Sequence, residues 1–383
     1  MRRRLRAFTL IEPLVVIALT AILPGRAAAQ APDLASVQRE IEALKQKLRD
    51  YDGLKARLAA LEEQLKAAGQ SAKAPSAPAT GAAAQPKLDG YLQLRANVDR
   101  TAGNNEDFSV RRLRLNMRGK ADERTSYRAE VQLESRLAGA GPGSKLQLRT
   151  LYVDRSLGEG RLRMGQAKVP WGYELEVSSA DLWSGERSLF MDRLFPSQRD
   201  IGLQYQWRLA KDGPLAGIGL FNGAGINAAD DNAHKDLLGR VRFPWPSGSA
   251  SLSYYDGQTG VGAAAQDRSR VGLGALHDWG RFSLVTEYVT GHDRGAKVAG
   301  AYAQLGYRPP STSDMVFVKP DWYDENRGQT GDAFRRMTVG YSRDLSAATR
   351  LTLAYEFRDA SANFSDLAIW DGDAGWVQWL LKY

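Results

Sequence analysis

An alternation of apolar and polar residues begins at Leu88 and continues to the last residue, Tyr383. Because successive side chains of a β-strand point to opposite faces, this period of two residues predicts strands throughout that part of the chain. In the first such segment Leu88 and Leu92 share one face, whereas Gln93 and Arg95 share the other. Segments of this kind recur about sixteen times, an even number that is typical of bacterial outer-membrane barrels.

A soluble β-sandwich would show the same alternation, but two features favour a barrel in a membrane. First, aromatic residues lie near the predicted strand ends, where they would meet the membrane surface: Trp207, Trp245, Tyr254, Tyr255, Trp279, Trp322 and Tyr323. Second, one face of the last predicted strand is apolar, which would promote aggregation in a soluble protein: Val377, Trp379, Leu381 and Tyr383. The sequence therefore predicts an all-β fold, a transmembrane antiparallel β-barrel of about 16 strands with an N-terminal coiled-coil helix.

The composition agrees with many short strands joined by turns, since the 383 residues include 38 Gly, 15 Tyr and 9 Trp. There is no Cys, which excludes disulfide bonds and thiolate metal sites. The formal net charge is +8, but residues 1–29 hold five Arg and one Glu, so their removal lowers it to +4. So small a charge gives no reason to expect a nucleic-acid partner.

The first 29 residues predict a secretory signal peptide, because an arginine-rich start is followed by an apolar stretch and by three alanines at residues 27–29. The alternative is a pilin-type helix, since residues 8–12 resemble the start of type IV pilin precursors. Ala7 stands where that pattern usually has Gly, and Pro13 follows Glu12 at once, so the secretory signal is favoured.

The segment after the signal predicts a coiled coil over residues 30–68. Its apolar residues recur at three- and four-residue spacing from Leu34 to Leu65 and form a narrow stripe, so we expect self-association. A single amphipathic helix lying on the protein itself is the alternative. Residues 69–86 are rich in Ala and Pro and predict a linker, after which residues 87–383 form the barrel.

One long irregular segment, residues 168–199, separates two predicted strands. Structureless segments of about thirty residues are uncommon in compact domains and are usually functional or disordered. This one carries too many large apolar residues for disorder: Trp171, Tyr173, Leu182, Trp183, Leu189, Phe190, Met191, Leu194 and Phe195. We therefore expect a loop folded into the barrel, with its charged residues facing the passing solute.

The polar faces of the predicted strands are rich in basic residues: Arg95, Arg112, Arg114, Arg118, Lys120, Arg161, Arg163, Arg240, Arg242, Arg350 and Arg358. Like charges at every second residue would be very unfavourable in a packed core, so a water-filled lumen is predicted for them. The arginines would then either select anions or brace the wall through ion pairs. Leu146 and Leu148 have the opposite parity to Leu151 and Val153, which predicts a bulge or a wrong strand boundary there.

Several motifs resemble those of the phosphate-selective porins O and P. The most specific are Met164-Gly165-Gln166-Ala167-Lys168-Val169-Pro170-Trp171-Gly172, Ser178-Ser179, Glu186-Arg187-Ser188 and Arg199-Asp200-Ile201-Gly202. The resemblance implies a homotrimer of sixteen-stranded barrels in the outer membrane of a Gram-negative bacterium, with the third loop folded inward. It also implies that Ser178, Ser179 and Arg187 hold phosphate at the constriction. A lysine shortly before the serines, typical of the family, is absent here, since Leu175 and Glu176 stand there.

The predicted function is passive diffusion of small anions, with phosphate or related oxyanions as the expected solutes. The predicted anion-contacting residues are Ser178, Ser179, Arg187, Lys168, Arg193, Arg199, Arg112, Arg114, Arg118, Lys120, Arg161, Arg163, Arg240 and Arg242. Expected partners are outer-membrane lipid, two further copies of the chain, and the insertion machinery that reads the terminal aromatic residue. Alternatives are a general porin of low selectivity and a structural subunit of a pilus or secretion assembly. No cofactor is predicted, nor an enzyme, because no His lies beside a recognisable nucleophile motif.

Overall fold

The computed structural model describes residues 85–100, 105–134, 145–260, 262–310, 312–365 and 371–383, together with residues 42, 45, 60 and 367. The predicted signal peptide and nearly all of the predicted linker lie outside the described residues. Of the predicted coiled coil only Glu42, Lys45 and Ala60 are described, and these three residues are helical and exposed. Among the described residues, no helix has both the length and the apolar character needed to cross a membrane.

Sixteen antiparallel strands close into one barrel, in which each strand pairs with its neighbours in sequence and β1 pairs with β16. The strands are β1 (Lys87–Asp99), β2 (Asn105–Lys120), β3 (Thr125–Glu134), β4 (Lys145–Leu157), β5 (Gly160–Lys168), β6 (Arg199–Arg208), β7 (Leu215–Phe221), β8 (Asp236–Trp245), β9 (Gly248–Thr259), β10 (Gln266–Trp279), β11 (Phe282–Asp293), β12 (Ala296–Tyr307), β13 (Asp314–Asp324), β14 (Ala333–Asp344), β15 (Thr349–Ala360) and β16 (Ala374–Lys382). The predicted strand number and barrel class are confirmed. Because the barrel is closed, no sheet edge is left unpaired. A β-sheet in lipid needs this, since the hydrocarbon offers no hydrogen-bond partners to the backbone.

The last residue completes the closure of the barrel at the end where β1 begins, here called the proximal end. The backbone N–H of Gly90 donates to the carbonyl of Tyr383 (3.0 Å), and the N–H of Tyr383 donates to the carbonyl of Gly90 (3.1 Å). The Tyr383 hydroxyl crosses over Gly90 and donates to the carbonyl of Arg114 (2.9 Å). A Cβ at residue 90 would lie 2.7 Å from that hydroxyl oxygen, so only glycine leaves room for the ring.

The two faces of the barrel have the chemistry that the alternation predicts. Large apolar side chains point outward and are exposed, such as Leu88 (76%) and Leu115 (51%). Polar side chains, including Gln93, Arg95 and Arg114, point inward and are buried. An apolar outer wall around a polar lumen is the arrangement of a barrel that stands in lipid and encloses water.

Two β-bulges change which residues face the lumen. In β4 the register shifts so that Glu130 pairs with Thr150 and Val131 with Leu148, which leaves Arg149 as the extra residue. The predicted bulge near residues 146–153 is therefore confirmed. A second shift pairs Gln93 with Arg112 and Leu94 with Val110, so that Arg111 is the extra residue in β2. Each bulge thus turns one additional arginine into the barrel.

The connection between β5 and β6, residues 169–198, folds into the lumen and is here called the inward loop. It contains a short helix, α1 (Leu189–Leu194), and a 3-10 turn, Pro196–Gln198. Its apolar side chains form the main buried cluster with residues of the surrounding strands, such as Phe221, Leu238 and Val289. The ring of Phe195, for example, lies 4.8 Å from that of Trp171.

Two aromatic residues that the sequence assigns to the membrane surface lie elsewhere. Tyr255 and Tyr323 are only 5% and 4% exposed and belong to the buried cluster around the inward loop. Their parity within β9 and β13 places them on the lumen face, next to the outward Tyr254 and Trp322. The prediction for Tyr255 and Tyr323 is therefore wrong, because pairs of adjacent aromatic residues necessarily occupy both faces of a strand.

The outer wall predicts a depth-dependent cost for a charged side chain. Leu252 lies near the middle of β9 and Leu157 ends β4 at the proximal rim, and both are exposed on the outer face (48% and 55%). We expect Leu252→Arg to lower the free energy of unfolding in lipid bilayers by about 2–4 kcal/mol and Leu157→Arg by about 0–1 kcal/mol. Denaturant titration of both variants measures this difference. Equal losses at the two positions would contradict a lipid-facing wall.

Candidate functional site

The candidate site is the narrow part of the lumen, where the inward loop meets the barrel wall. The loop brings irregular backbone into the barrel, and its carbonyl groups need hydrogen-bond donors there. Lys168 supplies two, because its Nζ donates to the carbonyls of Glu176 (2.9 Å) and Val177 (2.8 Å). Arg187 binds the same turn from within the loop, donating to the carbonyls of Glu174 (3.2 Å) and Val177 (2.7 Å).

Basic side chains of five more strands donate to loop carbonyls from around the barrel. These contacts are Arg149 to Ser197 (3.0 Å), Arg240 to Gly172 (2.9 Å), Arg270 to Leu194 (2.7 Å), Lys319 to Glu186 (3.2 Å) and Arg336 to Arg187 (2.6 Å). All five donors are at most 6% exposed. The loop is therefore fixed to β4, β8, β10, β13 and β14 rather than to a single wall.

Glu186 of the loop sits among three arginines. Its Oε1 accepts from Arg95 Nη1 (2.6 Å) and Arg111 Nε (2.9 Å), and its Oε2 accepts from Arg112 Nη2 (3.2 Å). Burial alone would raise the pKa of this carboxyl, but the three guanidinium groups hold its pKa well below the usual value. One carboxylate thus ties the loop to β1 and β2, and the group of four side chains keeps an excess of positive charge.

A second carboxylate contact fixes the start of the loop on the opposite side of the barrel. The carboxylate of Glu287 accepts from the backbone N–H groups of Tyr173 and Glu174, each at 2.8 Å, and from the hydroxyl of Tyr302 (2.7 Å). The side chain of Glu174 in turn accepts from Lys319 Nζ at 2.5 Å. These buried bonds orient the loop with little freedom.

A cavity of about 310 Å³ opens on the proximal side of the loop. The residues that line it belong to β2–β6 and the loop: Arg114, Arg128, Glu130, Thr150, Tyr152, Arg161, Arg163, Lys168, Glu176, Ser178, Arg199 and Gln206. Six of these side chains are basic and two are acidic. A hydrated space with this balance has a positive potential and concentrates anions.

The structure brings some of the predicted anion-contacting residues together in this cavity and places the others elsewhere. Lys168, Arg114, Arg161, Arg163, Arg199 and Ser178 line it. Arg118 lies closer to the proximal end of β2 and is bound to Asp89, and Lys120 is the last residue of that strand. Arg112 binds Glu186, Arg193 reaches Ser365, and Arg240 and Arg242 both bind Glu176 (2.6 Å each).

Ser179 and Arg187, which the family resemblance assigns to phosphate, are bound to each other inside the loop. Arg187 Nη1 donates to Ser179 Oγ (3.1 Å), while its other nitrogens bind loop carbonyls. Both residues are buried, at 2% and 4% exposure, whereas Ser178 is partly exposed beside the cavity. In this arrangement the guanidinium of Arg187 stabilises the conformation of the loop.

Three important residues are missing from the predicted anion-contacting set. Arg111 was assigned to no lumen face because the bulge in β2 reverses its parity; the adjacent pair Arg111-Arg112 was the visible signal. The alternation in β3 places Arg128 on the polar face, and the structure shows that it lines the cavity. Lys319 is fully buried beside Glu174. The two residues are 145 positions apart in the sequence, so no local pattern reveals their contact. Among the described residues, no group of three His, Asp or Glu side chains could hold a metal ion.

Comparison with known proteins agrees with this fold. A family model described as phosphate-selective porin O and P matches residues 88–252. The anion-selective porin from Comamonas acidovorans is 22% identical, with a TM-score of 0.60 over 78% of this chain and 99% of that chain. OmpF of Salmonella typhi in complex with daunomycin is 12% identical, with a TM-score of 0.60 over 78% and 97%. The trimer form of Vibrio cholerae OmpT is 9% identical, with a TM-score of 0.55 over 78% and 99%. A comparison with the curated proteins finds no match.

The arginine cluster around Glu186 predicts that neutralising this carboxylate loosens the loop. We expect Glu186→Gln to remove the carboxylate that Arg95, Arg111 and Arg112 share and to weaken the attachment by about 2 kcal/mol, because removing one partner of a buried ion-pair group leaves the others without that compensation. Hydrogen exchange of loop amides measures the change, with roughly thirtyfold faster exchange expected. The matched control is Glu159→Gln in an exposed turn. Unchanged exchange in Glu186→Gln would show that the cluster does not hold the loop.

The depressed pKa of Glu186 also predicts the pH at which the attachment fails. Its contribution is fully present above the unfolded pKa of about 4.3 and is lost as the pH falls through the lower folded value. Open-channel current noise in planar bilayers, recorded from pH 6 to pH 3, should therefore rise only below about 4.3. The Glu186→Gln variant should be noisy at every pH. Onset near pH 6 in the natural chain would contradict this assignment.

Proposed function

We propose that this chain, which matches the phosphate-selective porin O and P family model over residues 88–252, is an outer-membrane porin for passive, anion-preferring diffusion. The observation that carries the proposal is the cavity beside the inward loop, with six basic and two acidic side chains. The anion selectivity named for the Comamonas acidovorans porin supports it. The proposed role requires no chemical reaction, and the wall and the loop would decide which solutes pass.

The cavity favours anions without holding them tightly. Arg128 and Arg161 are 38% and 49% exposed, so their guanidiniums are open to water and to a solute. Each also has a carboxylate neighbour, Glu130 and Asp154 respectively, which offsets part of the charge. Conduction requires sites that an ion can enter and leave, and partly compensated guanidiniums meet that requirement.

Phosphate or a related oxyanion is the solute that these groups suit best. A guanidinium fork matches the geometry of two phosphate oxygens, and a serine hydroxyl can donate to a third. Ser178 stands at the cavity with Lys168 and Arg199. In this proposal Ser178, Arg128 and Arg161 contact the anion, while Ser179 and Arg187 give the loop its shape.

The proposed assembly is a homotrimer in the outer membrane of a Gram-negative bacterium. The proximal end would face the periplasm, where a cleaved signal at residues 1–29 would leave the coiled coil (residues 30–68) and the linker. The trimer form of Vibrio cholerae OmpT, similar in fold, supports three copies. Insertion would use the terminal strand, whose outward face ends in Tyr383.

A general porin of low selectivity is the second candidate, favoured by the many arginines already bound to loop carbonyls and carboxylates. A structural pilus or secretion subunit is the third. The pilus or secretion subunit requires a mature chain that keeps its apolar N-terminal segment, so intact-mass analysis tests this candidate. A mature chain that starts at Gln30 rules it out, and one that starts at Phe8 supports it.

The proposal is tested by the reversal potential of the refolded protein in a planar bilayer under a potassium chloride gradient, followed by titration with phosphate. We expect a potential of the sign set by chloride and partial block by phosphate. The double variant Arg128→Gln/Arg161→Gln should move the potential toward zero, because it removes the two exposed guanidiniums of the cavity.

The matched control is Arg155→Gln at the proximal rim, where Arg155 points outward and is 54% exposed. It should leave the potential unchanged. Chloride selectivity without phosphate block would make the protein a general anion porin. A cation-selective potential in the natural chain would overturn the proposal.

A further inference from the structure

The basic side chains of the lumen are distributed unequally along the barrel axis. At the proximal end Arg118, Arg161 and Arg128 are 52%, 49% and 38% exposed. Arg118 lies two residues before the proximal end of β2, Arg128 three residues after the start of β3, and Arg161 second in β5. Their guanidinium groups therefore face the water of the proximal mouth, where their charge can attract anions.

At the distal end the lumen arginines are buried against carboxylates. Arg268 binds Asp236, Arg270 binds Asp293 and Arg358 binds Glu356, and the three arginine side chains are 13%, 2% and 13% exposed. The described residues of the distal loops add more acidic than basic side chains: Asp230, Asp231, Glu325, Asp332, Asp371 and Asp373 against Arg100, Lys235, Arg294 and Arg327. Among the described residues, the distal mouth therefore has no excess of positive charge.

The two mouths are far enough apart to act separately. A barrel of this class spans about 25 Å, whereas the Debye length is about 10 Å at 0.1 M salt. The inward loop narrows the lumen between the mouths and is fixed to the wall by the bonds described above. An ion therefore meets the basic proximal segment and the neutral-to-acidic distal segment one after the other.

We infer that the pore rectifies: its anion-selecting segment is the proximal mouth, formed by Arg118, Arg128 and Arg161, and current is larger when the distal side is positive. With that polarity anions enter through the segment that concentrates them and cations enter through the segment that tolerates them. Both then accumulate at the loop and raise the conductance. The opposite polarity depletes both ions. The inference rests on the proposed function and locates its selectivity on one side.

The test is the current–voltage relation of single channels in symmetric potassium chloride. The orientation of each inserted channel in the bilayer is determined with the variant Asp231→Cys. Because the chain has no native Cys, a bulky maleimide added to one side reacts only when the exposed distal loop faces that side. We expect a current ratio of about 1.5 to 3 at 0.1 M salt, larger with the distal side positive, and a ratio near one at 1 M, where the Debye length is about 3 Å.

Variants separate the two mouths. The triple variant Arg118→Gln/Arg128→Gln/Arg161→Gln should bring the ratio at 0.1 M to one. The control pair Arg155→Gln/Arg343→Gln removes two arginines of similar exposure (54% each) from the outer proximal rim and should keep the ratio. An anion-preferring pore with a linear relation, or with larger current at the opposite polarity, overturns this inference alone. Absence of anion preference overturns the proposed function as well.

Discussion

Folding about thirty residues of irregular chain into a barrel places many carbonyl groups where neither a neighbouring strand nor bulk water can reach them, and each unpaired group is unfavourable. Here the donors are basic side chains of the wall. Lys168, Arg149, Arg240 and Arg336 each donate to a loop carbonyl at 3.0 Å or less. Cationic donors make stronger hydrogen bonds than neutral ones, and long side chains can reach the loop from the wall. The position of the loop, and with it the shape of the lumen, depends on these bonds.

This requirement separates the basic residues of the lumen into two groups. Those that hold the loop are buried, such as Arg187, which donates to loop carbonyls and to Ser179, and Lys319, which pairs with Glu174 of the loop. Those that face water lie mainly on the proximal side, such as Arg118 and Arg161. Only the second group can contact an anion directly, because a buried guanidinium enclosed by carbonyls offers a solute no accessible donor. Counting lumen arginines therefore overstates the number that a solute can contact, because their exposure decides it.

Much of the fold follows from local pattern. The alternation that begins at Leu88 predicts the strands and their faces, and the parity change between Leu148 and Leu151 reveals a bulge, because both depend on neighbouring residues alone. The sequence could not show that Arg111 turns inward at a second bulge, since one extra residue reverses the parity assignment. Nor could it pair Glu174 with Lys319, because that contact depends on where the loop lands across the barrel.

The candidate site was predictable in part for the same reason. Basic residues on the polar face could be recognised, and Lys168, Arg161 and Ser178 do line one cavity. Their exposure could not be recognised, because it depends on which guanidiniums the loop occupies. Ser179 and Arg187 illustrate this: the motif identified them, whereas the hydrogen bond between them is a property of the folded loop.

The central claim, that exposed arginines concentrate anions at the proximal cavity, is tested most directly by thiol modification rates. Gln206 lines the cavity, and the absence of native Cys makes Gln206→Cys the single reactive thiol. Anionic and cationic methanethiosulfonate reagents of similar size are compared at low and high salt. The account predicts that the anionic reagent reacts about tenfold faster at low salt and that the difference disappears at high salt. Faster reaction of the cationic reagent, or equal rates at every salt concentration, would contradict it.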